Sequence, residues 1–127
     1  MMERCDMDVL THLTCPLRYI VGKYNLTVDM TEYEDEIGEI LSLAVDKHYA
    51  LEINTSGIGS FYGEYMPHES ILRKFREKGG YLITLASDAH TADRVGNGFA
   101  EAAQMLKSIG FTNAYYYKQR MPIPYAL

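Results

Sequence analysis

"ILRKFREKGGYLITLASDAH", residues 71–90, changes from one periodicity to another within a single short stretch. Ile71, Leu72 and Phe75 recur at helical spacing, and Lys74, Arg76 and Lys78 come late, where cations suit the carbonyl end of a helix. Gly79-Gly80 is the expected stop, and Pro67 upstream suits a first turn. The next run, "YLITLAS" (81–87), is aromatic, β-branched and apolar, which predicts a buried strand. That strand ends in Asp88 and His90, two side chains that resist burial unless a charge or hydrogen bonds accompany them.

The same unit recurs along the chain. Strands are predicted over 7–13 ("MDVLTHL"), 50–55 ("ALEINT") and 113–118 ("NAYYYK") as well as 81–87. A helix over about 32–48 carries Ile37, Ile40, Leu41, Ala44 and Val45 on one face, with Thr31 and Glu34 spaced as a capping box. Another, over 97–109, carries Phe99, Ala102, Ala103, Leu106 and Ile109 inward and stops at Gly110. Strand alternating with helix predicts an α/β fold of parallel strands joined by crossover helices. The segment "TCPLRYIVGKYNLTVDM" (14–30) is longer than an ordinary βα loop and is read as a functional loop.

Bulk composition narrows the function classes. At 127 residues the chain is one domain's worth. With 47% hydrophobic and 23% charged residues it reads as globular. A net charge of -5 argues against binding nucleic acid, which needs a clustered cationic surface. "MMERCDMDVL" has charges where a signal peptide needs apolar residues, and no run approaches the roughly 18 apolar residues of a membrane span, so a cytoplasmic location is expected. Cys5 and Cys15 lack CxxC spacing and are read as buried or idle thiols.

In parallel α/β folds, chemistry gathers at the C-terminal ends of the strands. His12 closes the first predicted strand, Asn54 the second, and Asp88 and His90 the third. An acid and an imidazole two residues apart in an extended segment leave on one side, where both can reach a cation of the Zn, Mn or Fe type. Glu52 and Asn54 share the polar face of the second strand, which suits residues that support a site rather than bind directly. Arg18, Arg94 and Arg120 are the anion-binding candidates, and Arg18 leads because it lies in the long loop beside His12. Plainer readings remain open. Asp88 would then cap the next segment, His12 and His90 would be ordinary hydrogen-bonded or solvated histidines, and Glu52 and Asn54 would form a buried network. His48 and His68 are read as surface residues, and "AYYYK" as alternate-face strand packing.

Taken together, "DVLTHLTCPLRYI" (8–20), "LEINTSG" (51–57), residues 71–90, "VGNGFAEAAQMLKSIGF" (95–111) and "YYYKQRMP" (115–122) resemble the C-terminal half of the PHP (polymerase and histidinol phosphatase) family. The resemblance is strongest to its histidinol-phosphatase branch and runs in order over essentially the whole chain. It implies the C-terminal half of a distorted seven-stranded β/α barrel, a site for up to three divalent metals at the strand ends, and hydrolysis of a small phosphate ester such as histidinol phosphate, in histidine biosynthesis. By the same resemblance His12, Asp88 and His90 are metal ligands and Arg18 lies where phosphate would be bound. The family's opening His-x-His strand and first-half ligands have no counterpart here, so this chain alone is expected to hold one metal or none. Family members also often place a basic residue after "NTSG", where Ile58, Gly59 and Ser60 follow Gly57 here. Four parallel strands leave two open edges and an apolar face. Closure is expected from a homodimer, which would make eight strands, or from a complementing N-terminal half; the third reading is a truncated chain with no native partner.

Overall fold

The computed structural model describes residues 5–127. In chain order it holds β1 (Val9–Leu10), α1 (Pro16–Ile20), a 3-10 turn (Met30–Tyr33), α2 (Glu34–Asp46), β2 (Ala50–Asn54), α3 (Glu69–Glu77), β3 (Ile83–Ala86), a second 3-10 turn (Ala92–Arg94), α4 (Phe99–Ile109), β4 (Asn113–Lys118) and β5 (Met121–Ala126). β1, β2 and β3 form a parallel sheet with β2 in the centre, Val9 opposite Ala50 and Leu51 opposite Ile83. β2 is buried at every position, as a central parallel strand covered on both faces should be. The α/β class with a parallel sheet is therefore as expected.

The core forms where α2 and α3 lay their apolar stripes against the sheet. Ile37, Leu41 and Ala44 from α2 meet Ile71, Leu72 and Phe75 from α3 over Leu51, Ile53 and Ile83. Each fully buried Leu, Ile or Phe in that cluster contributes about 1.5–3 kcal/mol. Leu106 and Ala102 bring α4 into the same core, and Gly110 ends α4 in the left-handed conformation at φ 103.

Three expectations are corrected. First, the segment 113–118 is a strand but does not join the parallel sheet: it pairs antiparallel with β5, Tyr115 opposite Pro124 and Lys118 opposite Met121. Gln119 and Arg120 make the two-residue turn between them, with φ of 51 and 65, the doubly left-handed geometry that matches strand twist. Pro122 and Pro124 hide β5 from a sequence reading, because proline normally demotes a strand. Their positions have one parity, so both missing donors face the same edge, and pairing with β4 needs only that this be the outer one. Second, α2 is entered through a 3-10 turn capped by Asp29, whose carboxylate accepts from the Thr31 backbone N at 2.9 Å and its hydroxyl at 2.7 Å. The Thr31–Glu34 capping box is not formed. Third, β1 spans only Val9–Leu10 of the expected 7–13, since His12 and Thr14 turn left-handed at φ 60 and 67.

The remaining details are smaller. α1, inside the long loop, begins on Pro16. α3 starts two residues after Pro67, with His68 as its N-cap accepting from the Ser70 backbone N at 3.2 Å. Tyr115 to Tyr117 alternate in exposure, with Tyr116 outward against Tyr125 and Tyr115 edge-on to Tyr81. Cys5 is exposed rather than buried, and Cys15 is half-buried; both are free thiols. No helix among the described residues is long and apolar enough to cross a membrane.

Candidate metal and anion site

The carboxyl ends of β1, β2 and β3 lie side by side because the three strands are parallel and in register. Five of the six residues singled out from sequence sit there: His12 just beyond β1, Glu52 and Asn54 in β2, and Asp88 and His90 beyond β3. The sixth, Arg18, reaches the same rim from α1. Parallel topology, rather than local sequence, assembles the group.

Glu52 and His12 form the first contact. The Glu52 carboxylate, on a side chain only 9% exposed, accepts from the His12 backbone N at 3.2 Å and lies 3.2 Å from its Nδ1. A carboxylate on Nδ1 favours the tautomer that carries the proton there and leaves Nε2 with a free lone pair. The imidazole itself is 55% exposed, so that lone pair opens to the rim. His90 repeats the arrangement with a different acceptor: its Nδ1 lies 2.9 Å from the Asp88 carbonyl oxygen. Two histidines thus have Nδ1 engaged by oxygen, the pattern that orients imidazole for metal binding through Nε2.

Asp88 departs from expectation. It does not continue the strand, which ends at Ala86, but takes φ 50, so the expectation that an extended Asp-x-His pair projects to one side does not hold. Its carboxylate meets Arg18 Nη1 at 3.3 Å. Arg18 also donates to Ser56 Oγ at 2.8 Å and to the Tyr19 hydroxyl at 3.1 Å. Ser56 in turn donates to Asn54 Oδ1 at 2.7 Å, and its backbone N donates to the same oxygen at 3.0 Å. Buried Asn54 therefore fixes Ser56, and Ser56 fixes Arg18. The hydrogen bond to Tyr19, offset in part by burial and reinforced by Asp88, holds the Arg18 guanidinium above its ordinary value. It stays charged at any working pH.

Whether these donors suit a metal can be judged from their own arrangement. Both imidazoles have Nδ1 engaged by oxygen, and Asp88 is an oxygen donor at the same rim, but its carboxylate is paired with Arg18. Among the described residues, however, no three His, Cys, Asp or Glu side chains converge closely enough to hold one ion.

The other candidates fall outside the group or extend it. Arg120 is taken up by Asp6, at 2.6 and 2.8 Å in a two-pronged contact, and by Asp8 at 3.1 Å, so it holds the N-terminal segment rather than an anion. His48 is exposed past the end of α2, and His68, half-exposed, caps α3 near Glu64 at 3.6 Å. Ser56 was missed. Its only sequence signal was its place in "NTSG" after a strand, where a hydroxyl is as often a turn residue as a ligand contact. Arg94, Ser56, Arg18 and Asp88 line one open cavity of about 320 Å³ with His90.

No family model matches the chain. Individual known proteins do. The chain is 34% identical over 110 residues to a probable histidinol-phosphatase of Thermotoga maritima, covering 87% of this chain and 44% of that protein. A probable histidinol-phosphatase of Clostridium acetobutylicum is 30% identical over 122 residues, covering 93% and 46%. Among solved structures, histidinol phosphate phosphatase from Lactococcus lactis, complexed with zinc, L-histidinol and phosphate, superimposes with a TM-score of 0.66 at 28% identity, over 76% of this chain and 36% of that one. The chain is similar to histidinol-phosphatases over most of its own length, and it spans less than half the length of the relatives it matches.

Proposed function

We propose that this chain is the C-terminal part of a PHP-type, metal-dependent phosphomonoesterase of the histidinol-phosphatase kind, forming about half of a distorted β/α barrel. The observation that carries the reading is the Glu52–His12 contact. A buried carboxylate spent on orienting one exposed imidazole costs desolvation that a purely structural histidine would not need. The similarity to relatives named histidinol-phosphatase points to the same chemistry.

In this reading His12, Asp88 and His90, which do not converge on one point in the chain alone, would take part in binding divalent ions of the Zn, Mn or Fe type only once ligands from the rest of the barrel join them. When bound, such a metal supplies charge neutralisation on phosphoryl oxygens and a more acidic water. The chain's own residues do the rest. Glu52 keeps the proton on Nδ1 of His12, so that Nε2 remains a lone-pair donor. The Asp88 carbonyl does the same for His90. Asn54, through Ser56, aims the Arg18 fork at the phosphate of a small ester such as histidinol phosphate. Because Asp88 is paired with Arg18, and no three potential ligands among the described residues converge, the chain alone is an incomplete site.

The remaining barrel units are supplied by a segment equivalent to the part of the relatives that this chain does not cover. A homodimer would combine, from the described residues of each copy, three parallel strands and a hairpin rather than four parallel strands. The test is metal content after chelator-free purification, then phosphate release from histidinol phosphate by the chain alone and mixed with the complementing segment. Metal and activity appearing with the mixture, and lost together in His12→Ala, Asp88→Ala and His90→Ala, are the expected results. A mixture that binds metal no better than the three variants would refute the assignment.

A further inference from the structure

Arg18 is the obvious anion contact at the rim, yet its charge is already spoken for. Asp88 lies 3.3 Å from its Nη1, and both side chains are largely buried, at 22% and 24% exposure. A guanidinium paired this closely with a carboxylate presents little net field to an incoming dianion. His90 is the other titratable group lining the cavity besides Arg94, and its ring is engaged by the Asp88 carbonyl. Without a further cation the cavity would be close to neutral.

Arg94 supplies that cation. It closes the 3-10 turn Ala92–Arg94, downstream of β3, and lines the same cavity from the side opposite in sequence to α1. Its Nη1 comes within 4.0 Å of where a Cβ on Gly59 would stand, so the guanidinium lies over the loop that follows Ser56. Asn97 Nδ2 approaches the same point at 4.0 Å, adding a neutral donor. Among the described residues its one ion pair is with Asp93, at 3.7 Å, and those side chains are 62% and 78% exposed. An exposed pair at that distance between sequence neighbours holds the guanidinium weakly and is readily given up.

We propose that Arg94 is a second anion-binding residue, gripping the phosphate group together with Arg18 across the cavity between α1 and the turn after β3. Among the described residues it is the one contributor there whose positive charge is not cancelled by a close, sheltered carboxylate. The inference rests on the phosphomonoesterase reading for the identity of the anion, but the charge relation stands on geometry alone.

Calorimetric titration of the full chain with inorganic phosphate tests it, using Arg94→Gln, Arg94→Lys and Arg18→Gln. Arg73→Gln serves as a control, because Arg73 is an arginine paired with Glu69 on the exposed face of α3. Arg94→Gln should weaken phosphate binding about tenfold or more, Arg94→Lys should recover part of the loss, and Arg73→Gln should leave it unchanged. If Arg94→Gln binds phosphate as well as Arg73→Gln while Arg18→Gln does not, the inference is overturned and the phosphoesterase reading survives. Wild-type chain that fails to bind phosphate at about 10 mM overturns the two-arginine grip, while the phosphoesterase reading is decided separately by the completed barrel. Phosphate binding that depends on Arg94, with no histidinol phosphate hydrolysed even by the completed barrel, keeps the anion site and removes the enzyme.

Discussion

The Glu52 carboxylate beside His12 Nδ1 links the buried interior to the open rim. Glu52→Gln keeps the shape of the contact but removes the charge, and a glutamine amide can offer a donor where an acceptor is required. Metal affinity of the completed site should fall about 10–100-fold, read by competition with a chelating dye, while urea stability changes little. An unchanged affinity would show that the carboxylate only caps the His12 backbone N. At the opposite end of the sequence, Arg120 pins Asp6 and Asp8. The hydrogen bond from Arg120, and then its charge, lowers the Asp6 carboxyl below its ordinary 3.8. A lowered native value means this contribution is present above the unfolded value and fades as pH falls through the native one. The difference in urea midpoint between wild type and Arg120→Gln should therefore narrow below about pH 4. A gap that is constant down to about pH 2 would mean the guanidinium acts through packing alone.

At the level of elements, the junction between α3 and β3 separates two uses of glycine. Gly79 takes φ 94 with open space where a Cβ would go, the usual left-handed residue after a helix. Gly80 has an ordinary φ, but a Cβ there would stand 2.5 Å from the Phe75 ring, which is 1% exposed and would have to shift. Gly79→Asn should cost about 0.5–1 kcal/mol, since Asn tolerates left-handed backbone better than other residues but φ 94 still strains it. Gly80→Ala should cost about 1–3 kcal/mol through overpacking. Chemical denaturation of the two variants checks the order, and equal losses would mean that backbone freedom, not the Phe75 ring, governs the junction. The hairpin teaches a related lesson. Its turn is set by two left-handed residues with long side chains, Gln119 and Arg120, which no turn rule would pick over Asn-Gly. Arg120 is held there by the two aspartates it clamps.

At the scale of the whole molecule, a broad groove lies apart from the cavity that Arg18 and Arg94 share. A groove of about 1230 Å³ runs along the open side of β1 and the outer face of α2, with Leu10, Leu13, Ile40 and Leu43 on its walls and Glu34, Asp46 and Lys78 at its margins. β1 pairs only with β2 among the described residues, so its other edge is unpaired there. In the solved Lactococcus lactis structure 36% of the chain corresponds to this fold, so most of that protein is built outside it. A segment matching the uncovered part of the relatives should seat in this groove and slow amide exchange at Val9 and Leu10. It should also raise the thermal midpoint by several degrees, about what 1 kcal/mol gives in a domain of this size. Protection that appears on the β4–β5 hairpin and not at β1 would place the missing units on the other side.

The sequence alone determined what depends on neighbours along the chain. Helical stripes such as Ile37–Leu41–Ala44 and Ile71–Leu72–Phe75 are local patterns, and the α/β class comes from their alternation with β-branched runs. So does the location of the candidate residues at strand ends, because parallel order fixes which end faces which. Tertiary structure decided the contacts between residues far apart in sequence. That Arg18 meets Asp88, that Glu52 turns to His12, and that Arg94 shares a cavity with Arg18 are matters of a few ångströms between segments 40 to 76 residues apart. The return of β5 antiparallel to β4 also lay beyond reach. Both directions of pairing satisfy the same strand pattern, and only the turn at Gln119–Arg120 and the packing around it choose between them.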